Sequence, residues 1–252
     1  MRISLAITVK NEGTYVKQLL EFLTKFVVEK SHLTGHSYEI VVLDDFSDDP
    51  LTVYTINFLT NDRGIYLIEH HLDNDFATHK NYLNMHCSGE YILQLDADEM
   101  IQEDFLFNLP ALLEANPDIQ AYSLPRINTV DGLTMAHVQK WRWVITSAEE
   151  FVRAKIIDPT SEEYRLLKEY GFILNEENGF ITYKQPIINF PDYQTRLFKR
   201  LSNIKWEGKF HERLVGFDQF SFFPQQIEFA IQHHKEIKRQ ETQNDYYETL
   251  TR

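Results

Sequence analysis

The residues best suited to chemistry in this chain are carboxylates that stop a strand. Tyr91-Ile92-Leu93-Gln94-Leu95 is an apolar, β-favouring run bounded upstream by Ser88-Gly89, and it ends in Asp96-Ala97-Asp98-Glu99. A buried strand cannot carry that much charge inside a sheet. The acids therefore belong at its carboxyl end, where an open α/β sheet has its ligand crevice. Asp96 and Asp98, one residue apart, can share a divalent cation through hard oxygen ligands. The plainer reading of an Asp-x-Asp alone is a solvated acidic loop.

A second acidic cluster, Asp44-Asp45-Phe46-Ser47-Asp48, follows the strand-like Tyr38-Glu39-Ile40-Val41-Val42-Leu43. A carboxylate there can accept hydrogen bonds from a base imino group or a ribose hydroxyl. The alternative is that Asp48 or Ser47 caps the next helix and the pair is merely solvated. Late in the chain, Ile227 to His233 alternates like a strand and delivers His233 and His234 in tandem. Alternation puts the two on opposite faces, with His233 in phase with Ile227, Phe229 and Ile231. No thiolate cluster accompanies these acids and imidazoles, so the donor set suits Mg²⁺ or Mn²⁺ rather than structural zinc.

The elements that must position these groups read as alternating strands and helices. Ile3 to Thr8 is a strand, and Tyr15, Leu19, Leu20, Leu23 and Phe26 mark a helix after it. Pro50 opens a second helix, Ile65 to Glu69 is a third strand, and Thr78 to His86 is a helix leading to the central strand. This order predicts a mostly parallel, doubly wound sheet with a nucleotide at its carboxyl edge. The chain has neither Gly-x-Gly-x-x-Gly nor a Walker loop, which leaves a dinucleotide oxidoreductase or P-loop enzyme without support. Further on, Gln102 to Glu114 is helical, Gln120 to Leu124 is a strand, and Asp131-Gly132 is a turn expected to close a hairpin. A charged helix is expected near Ser161 to Tyr170, and the polar tail from Lys235 is expected to be a surface helix.

The composition permits this reading and narrows it. With 252 residues, 43% of them hydrophobic, the chain can bury a real core. The net charge of −13 disfavours an electrostatic nucleic-acid or anionic-membrane binder, although six basic residues fall between Arg196 and Arg213. The one cysteine, Cys87, cannot form an internal disulfide and is read as a small buried hydrophobe in a reducing compartment. The charged residues at Lys10 and Glu12 come too early for a signal peptide, and no apolar run reaches spanning length. The expectation is a soluble, cytoplasmic protein without a transmembrane segment.

With Thr8-Val9-Lys10-Asn11-Glu12, Asp44-Asp45-Phe46-Ser47-Asp48, Lys80-Asn81, Leu95-Asp96-Ala97-Asp98-Glu99, Gln194-x-Arg196-Leu197-Phe198, Trp206-x-Gly208 and His211-Glu212 in this order, the chain resembles the family-two glycosyltransferases, of the small bacterial and phage type. The resemblance implies a GT-A fold, that is, an open, mostly parallel nucleotide-binding sheet flanked by helices with an acceptor-side insertion. It also implies one domain over 1–252, with a nucleotide-sugar half at 1–126 and an acceptor half at 127–252. The insertion, about 140–185, carries no family pattern.

The site follows from the same resemblance. Thr8, Lys10, Glu12, Asp44, Asp45, Lys80, Asn81, Asp96, Ala97 and Arg196 would contact the nucleotide sugar. Asp96 and Asp98 would hold Mn²⁺ or Mg²⁺ with a late-strand histidine, His233 first and His234 in reserve. Glu212 would be the general base of an inverting transfer, with His211 as the alternative base or an acceptor contact. The implied acceptor is a hydroxyl of a surface oligosaccharide or lipopolysaccharide-type glycan, with a hydroxymethylated phage DNA base as the minority choice. Two other functions compete. A phosphohydrolase of the haloacid dehalogenase type also ends a strand in Asp-x-Asp, but on its first strand, and it leaves Asp44-Asp45 unexplained. A non-catalytic sugar-nucleotide-binding protein would have no need of Glu212.

Overall fold

Hydrophobic alternation along the first strands decides the architecture, because it supplies apolar side chains to both faces of one sheet. The structure is a computed structural model, and it describes residues 1–146, 154–161, 164–165, 174–177, 180–184 and 187–250. The chain divides into two compact units, Met1–Pro125 with Tyr193–Ile231, and Arg126–Asp192 with Gln232–Arg252.

The first unit is built on a seven-stranded sheet. Its strands are β1 (Arg2–Val9), β2 (Ser37–Asp44), β3 (Ile65–Glu69), β4 (Tyr91–Asp96), β6 (Ala121–Leu124), β13 (Gln194–Lys199) and β16 (Phe220–Phe222); the two-residue β5 (Glu99–Met100), which follows β4, is not one of them. The order is β16-β6-β13-β4-β1-β2-β3. All pairings are parallel except those of β13, which runs antiparallel to β4 and β6. Ile3, Leu5 and Ile7 of β1 and Leu93 and Leu95 of β4 point into one buried cluster. That cluster is closed by α1 (Gly13–Glu29) through Leu19, Leu20 and Leu23, and by α4 (Glu103–Ala115) through Phe105, Leu106 and Leu109. Ala6, Val41, Leu43 and Ile92 face the other side, against Ala77 and Leu83 of α3 (Phe76–His86). Helices on both faces are what a parallel sheet requires.

Local sequence sets the joints of this frame. Asp49 caps α2 (Pro50–Arg63), its carboxylate accepting from Thr52 N at 2.8 Å, and Pro50 occupies the first turn, where its missing N–H is not needed. The cap is thus Asp49, and neither Asp48 nor Ser47, the residues of the alternative reading, fills that place. Gly89 enters β4 where a Cβ would lie 2.6 Å from Ser4 N, so no side chain fits between the strands there. Cys87 is buried, and burial pushes its thiol up to about 12, in keeping with a packing role. Beyond the sheet, β14 (Lys205–Glu207) and β15 (Arg213–Val215) form an antiparallel hairpin whose Trp206 and Leu214 join the α3 side of the core.

The second unit carries β7 (Arg126–Asp131), β8 (Ile145–Thr146), β12 (Ile187–Ile188) and β17 (Ile231–Glu236) in the order β17-β7-β12-β8. A separate antiparallel sheet has the order β10-β11-β9, from Leu174–Glu177, Phe180–Lys184 and Ala154–Ile157. Two expectations fail here. Gly132, at φ +78°, does not close a hairpin; it turns the chain toward α5 (Met135–Trp141), whose cap is Thr134. Ile227–Phe229 is a 3₁₀ turn rather than the start of a strand, so β17 begins at Ile231. The helix expected near 161–170 lies almost wholly outside the described residues. The tail helix is α6 (Ile237–Leu250). Among the described residues no helix is long and apolar enough to cross a membrane.

Candidate active site

Strand register brings the acidic motifs of the first unit to one level. Thr8 lies opposite Asp96 and Val9 opposite Asp44, so β1, β2 and β4 end together. At that edge Thr8 Oγ1 donates to Asp96 Oδ1 at 3.0 Å, and Ala97 N donates to Thr8 O at 3.2 Å.

Asp96 is the centre of an alternating chain of charge. Arg196 Nη2 lies 2.5 Å from Asp96 Oδ2 and 2.8 Å from Glu99 Oε1, and Glu99 Oε2 accepts from Asp96 N at 3.1 Å. On the other side, Lys80 Nζ stands 4.0 Å from Asp96 Oδ1 and 2.6 Å from Glu212 Oε1. The order Glu99, Arg196, Asp96, Lys80, Glu212 therefore alternates in sign from the core outward. Enclosure alone would raise the Asp96 carboxyl; the Arg196 and Lys80 cations outweigh it and hold that carboxyl far below the usual range. Burial opposes the Arg196 charge, but Asp96 and Glu99 bind its proton more tightly still.

Each member is delivered by an identifiable local feature. Arg196 occupies an irregularity of β13, where pairing with β6 shifts between Thr195 and Leu197, and such a bulge re-aims a side chain. Glu99 is fully buried and was not singled out by the sequence motifs as a site residue. Its signal is phase, for Leu95, Ala97 and Glu99 recur at every second position and all three are buried. Lys80, 5% exposed, lies on α3 with its ammonium 4.8 Å from the centroid of the Trp206 ring. Trp206 is anchored in turn by its indole N–H, which donates to Gln94 Oε1 at 3.0 Å.

Asn81 has a positioning role. Its Nδ2 donates to Trp206 O at 2.8 Å and its Oδ1 accepts from Trp206 N at 2.8 Å, so the amide pairs with β14 as a strand would. Glu212 sits at the end of the 208–212 loop between β14 and β15, which contains Gly208 at φ +98° and His211 at φ +54°. The His211 side chain is exposed, whereas Glu212 is 15% exposed and paired with Lys80 rather than with the adjacent Arg213.

The Asp44-Asp45 cluster is tied into its own loops. Asp44 accepts from Ser47 Oγ at 2.6 Å and from Ser47 N, while Asp45 Oδ1 accepts from Leu72 N at 3.0 Å. Lys10 Nζ donates to the carbonyls of Asp45 and Phe46, and Glu12 is the residue before α1. Phe46, at φ +50° and 42% exposed, stacks on His71 with ring centroids 4.0 Å apart.

His233 and His234 belong to the second unit. His234 has Thr129 Oγ1 2.9 Å from Nδ1 and Asp131 Oδ2 3.1 Å from Nε2. His233 Nδ1 lies 2.7 Å from Asn128 Oδ1, and the Asn128 amide is itself oriented by donation to Asp192 Oδ2 at 2.7 Å. Among the described residues no group of three or more His, Cys, Asp or Glu is arranged to hold a metal ion. The pair Asp96 and Asp98 still fits one, because Mg²⁺-type ions are held by one or two carboxylates together with substrate phosphates.

The model of glycosyl transferase family 2 matches residues 4–172, which carry the strand-end acids and Lys80. The chain belongs to glycosyl transferase family 2. No curated protein sequence matches it. Among solved structures it is similar to S. aureus TarS 1-349, at a TM-score of 0.54 and 13% identity over 94% of this chain and 60% of that one. The complex of TarS 1-349 with UDP-GlcNAc matches at a TM-score of 0.53 and 16% identity, over 93% and 59%. The mannosyltransferase PcManGT from Pyrobaculum calidifontis, in complex with GDP-Man and Mn²⁺, matches at a TM-score of 0.49 and 16% identity, over 92% and 56%. This family-two chain thus spans about six-tenths of the length of TarS 1-349. The likeness to TarS 1-349 establishes the GT-A fold. Family membership also removes the phosphohydrolase reading, in agreement with the place of Asp-x-Asp on β4 in the middle of the sheet rather than on its first strand.

Proposed function

We propose that the protein transfers a sugar from a nucleotide-sugar donor to a hydroxyl acceptor by a metal-dependent, inverting single displacement. The observation that carries this reading is the ion chain from Asp96 through Lys80 to Glu212, which couples a strand-end carboxylate to an acid on a separate hairpin. The fold shared with a UDP-GlcNAc complex supports a nucleotide sugar as donor.

In this mechanism Asp44 and Asp45 accept hydrogen bonds from the nucleoside, and Thr8, Lys10 and Glu12 border it. Lys80 places positive charge beside the diphosphate, where charge grows as the glycosidic bond breaks, and Arg196, itself buried on Asp96 and Glu99, acts by holding Asp96 in place. Glu212 takes the acceptor proton while the acceptor oxygen attacks the anomeric carbon, and the nucleoside diphosphate leaves from the opposite face. The family pattern implies the more direct contact with Mn²⁺ or Mg²⁺ at Asp98, the second aspartate, with Asp96 held by Thr8 and Arg196 beside it. Such an ion, when bound, offsets the charge of the leaving diphosphate. Of the tandem histidines, His233 is the one proposed as a ligand. His233 Nδ1 donates to Asn128 Oδ1 at 2.7 Å.

The acceptor is proposed to be a glycan hydroxyl. The basic run expected to offer a nucleic acid its phosphate contacts is largely spent within the protein. Arg196 is buried on acids, Lys199 donates to Pro117 O, Arg200 Nε donates to Gly89 O at 2.8 Å, and Lys205 pairs with Glu207 at 2.9 Å. The test of the mechanism is Glu212→Gln with the anomer of the product read by nuclear magnetic resonance. Turnover should fall by about 10²–10⁴-fold, the usual contribution of a general base, and the parent enzyme should yield the anomer opposite to the donor's. A retained anomer eliminates single displacement. Near-normal turnover of Glu212→Gln moves the base elsewhere, with His211 the first place to look.

A further inference from the structure

We infer that Lys80 is the positioning residue of the base, and that Glu212 and the donor diphosphate compete for its ammonium. This inference rests on the reading of Glu212 as the base. Glu212 Oε1 lies 2.6 Å from the Lys80 ammonium, and an oxygen held in such a charge-assisted bond is turned away from an acceptor hydroxyl. The groups around Lys80 leave it little choice of partner. Glu212 faces it from the loop after β14, Asp96 from β4 at 4.0 Å, and the Trp206 ring from β14, with buried His79 beside it on α3. Asp96 is already neutralised by Arg196, so Glu212 is the partner that holds Lys80 when no donor is present.

An arriving diphosphate brings more negative charge than Glu212 and draws the ammonium toward the strand ends. Glu212 is then released, still positioned by the hairpin, with its oxygen open to the acceptor hydroxyl. The base thus becomes competent only with the donor in place, which makes the donor the first substrate to bind and protects the site from spending its base on water.

The experiment is a double-mutant cycle read by calorimetric affinity for UDP, GDP and inorganic pyrophosphate in the presence of Mn²⁺, using the parent, Glu212→Gln, Lys80→Met and the double variant. Competition predicts that Glu212→Gln binds its best diphosphate about two- to tenfold more tightly than the parent, because an ion pair no longer has to break. It also predicts that the gain vanishes in the Lys80→Met background. Unchanged or weaker binding by Glu212→Gln overturns the inference, and so does a gain that persists without Lys80, since that would be bulk electrostatics. Lys80→Arg, which keeps the charge, should retain the gain and guards against a folding defect in Lys80→Met. Loss of binding by the parent to every diphosphate would sink the glycosyltransferase reading itself, an outcome distinct from the other three.

Discussion

Arg196 reaches Asp96 from the irregular point of β13, and the same nitrogen that bonds Asp96 at 2.5 Å also bonds the fully buried Glu99 at 2.8 Å. One guanidinium therefore neutralises two carboxylates, of which only Asp96 is open to the crevice. Removing one member of a buried ion group leaves the others with less compensation for their burial.

Arg196→Met should accordingly destabilise the fold by about 3–5 kcal/mol, because the fully buried Glu99 would lose its ion-pair partner. Adding Glu99→Gln to that variant should restore part of the loss. Urea denaturation of the three proteins measures it, and equal midpoints would show that Glu99 does not depend on Arg196.

Metal dependence separates the two aspartates. Chelation should abolish transfer and added Mn²⁺ or Mg²⁺ should restore it, while Asp98→Ala should lose more activity than Asp96→Ala. Full activity in excess chelator would remove the metal from the mechanism.

The pH dependence of stability should carry the mark of His79. Burial pushes this imidazole down to about 4, against the pull of Asp45 and with His70 beside it. The unfolded chain then binds the proton more readily than the folded one between about 4 and about 6.5. Its contribution to stability is complete above about pH 6.5 and is lost as the pH falls toward 4. His79→Gln should flatten the melting temperature across that window; an unchanged slope would assign the loss to other groups.

The cap of α2 gives a local control. Asp49→Ala should cost about 1 kcal/mol through the lost bond to Thr52 N, with donor affinity unchanged. A fall in affinity would mean that the 44–49 loop and the helix start act as one piece.

Much of the frame was legible because it is written locally. Ile65–Glu69 forms the third strand over the range its apolar residues predict, and Pro50 opens α2 as its fixed φ requires. The 3₁₀ turn at Ile227–Phe229 was hidden because two-residue apolar spacing also suits a tight turn; here Ala230 N closes on Ile227 O while Phe229 packs on Phe105 and Phe223. The site acids were visible as strand ends, but their partners were not. Lys80 and Glu212 lie 132 positions apart, and nothing in the spacing of either motif specifies that they meet. Asn81 also pairs with the Trp206 backbone, a contact that only the neighbouring hairpin reveals.

That amide clamp fixes what can vary in this site. Because Asn81 fastens β14 to α3 by both of its polar atoms, the neighbouring Lys80 and the root of the hairpin are anchored to the same helix, and the clamp opposes hinge bending between them. The reach of Glu212 is then governed by the loop 208–212, whose backbone turns at Gly208 and His211. Lengthening or shortening that loop would move the carboxylate relative to an otherwise stationary lysine. Acceptors of different depth could in this way be served by one scaffold, with the strand ends and the helix left untouched.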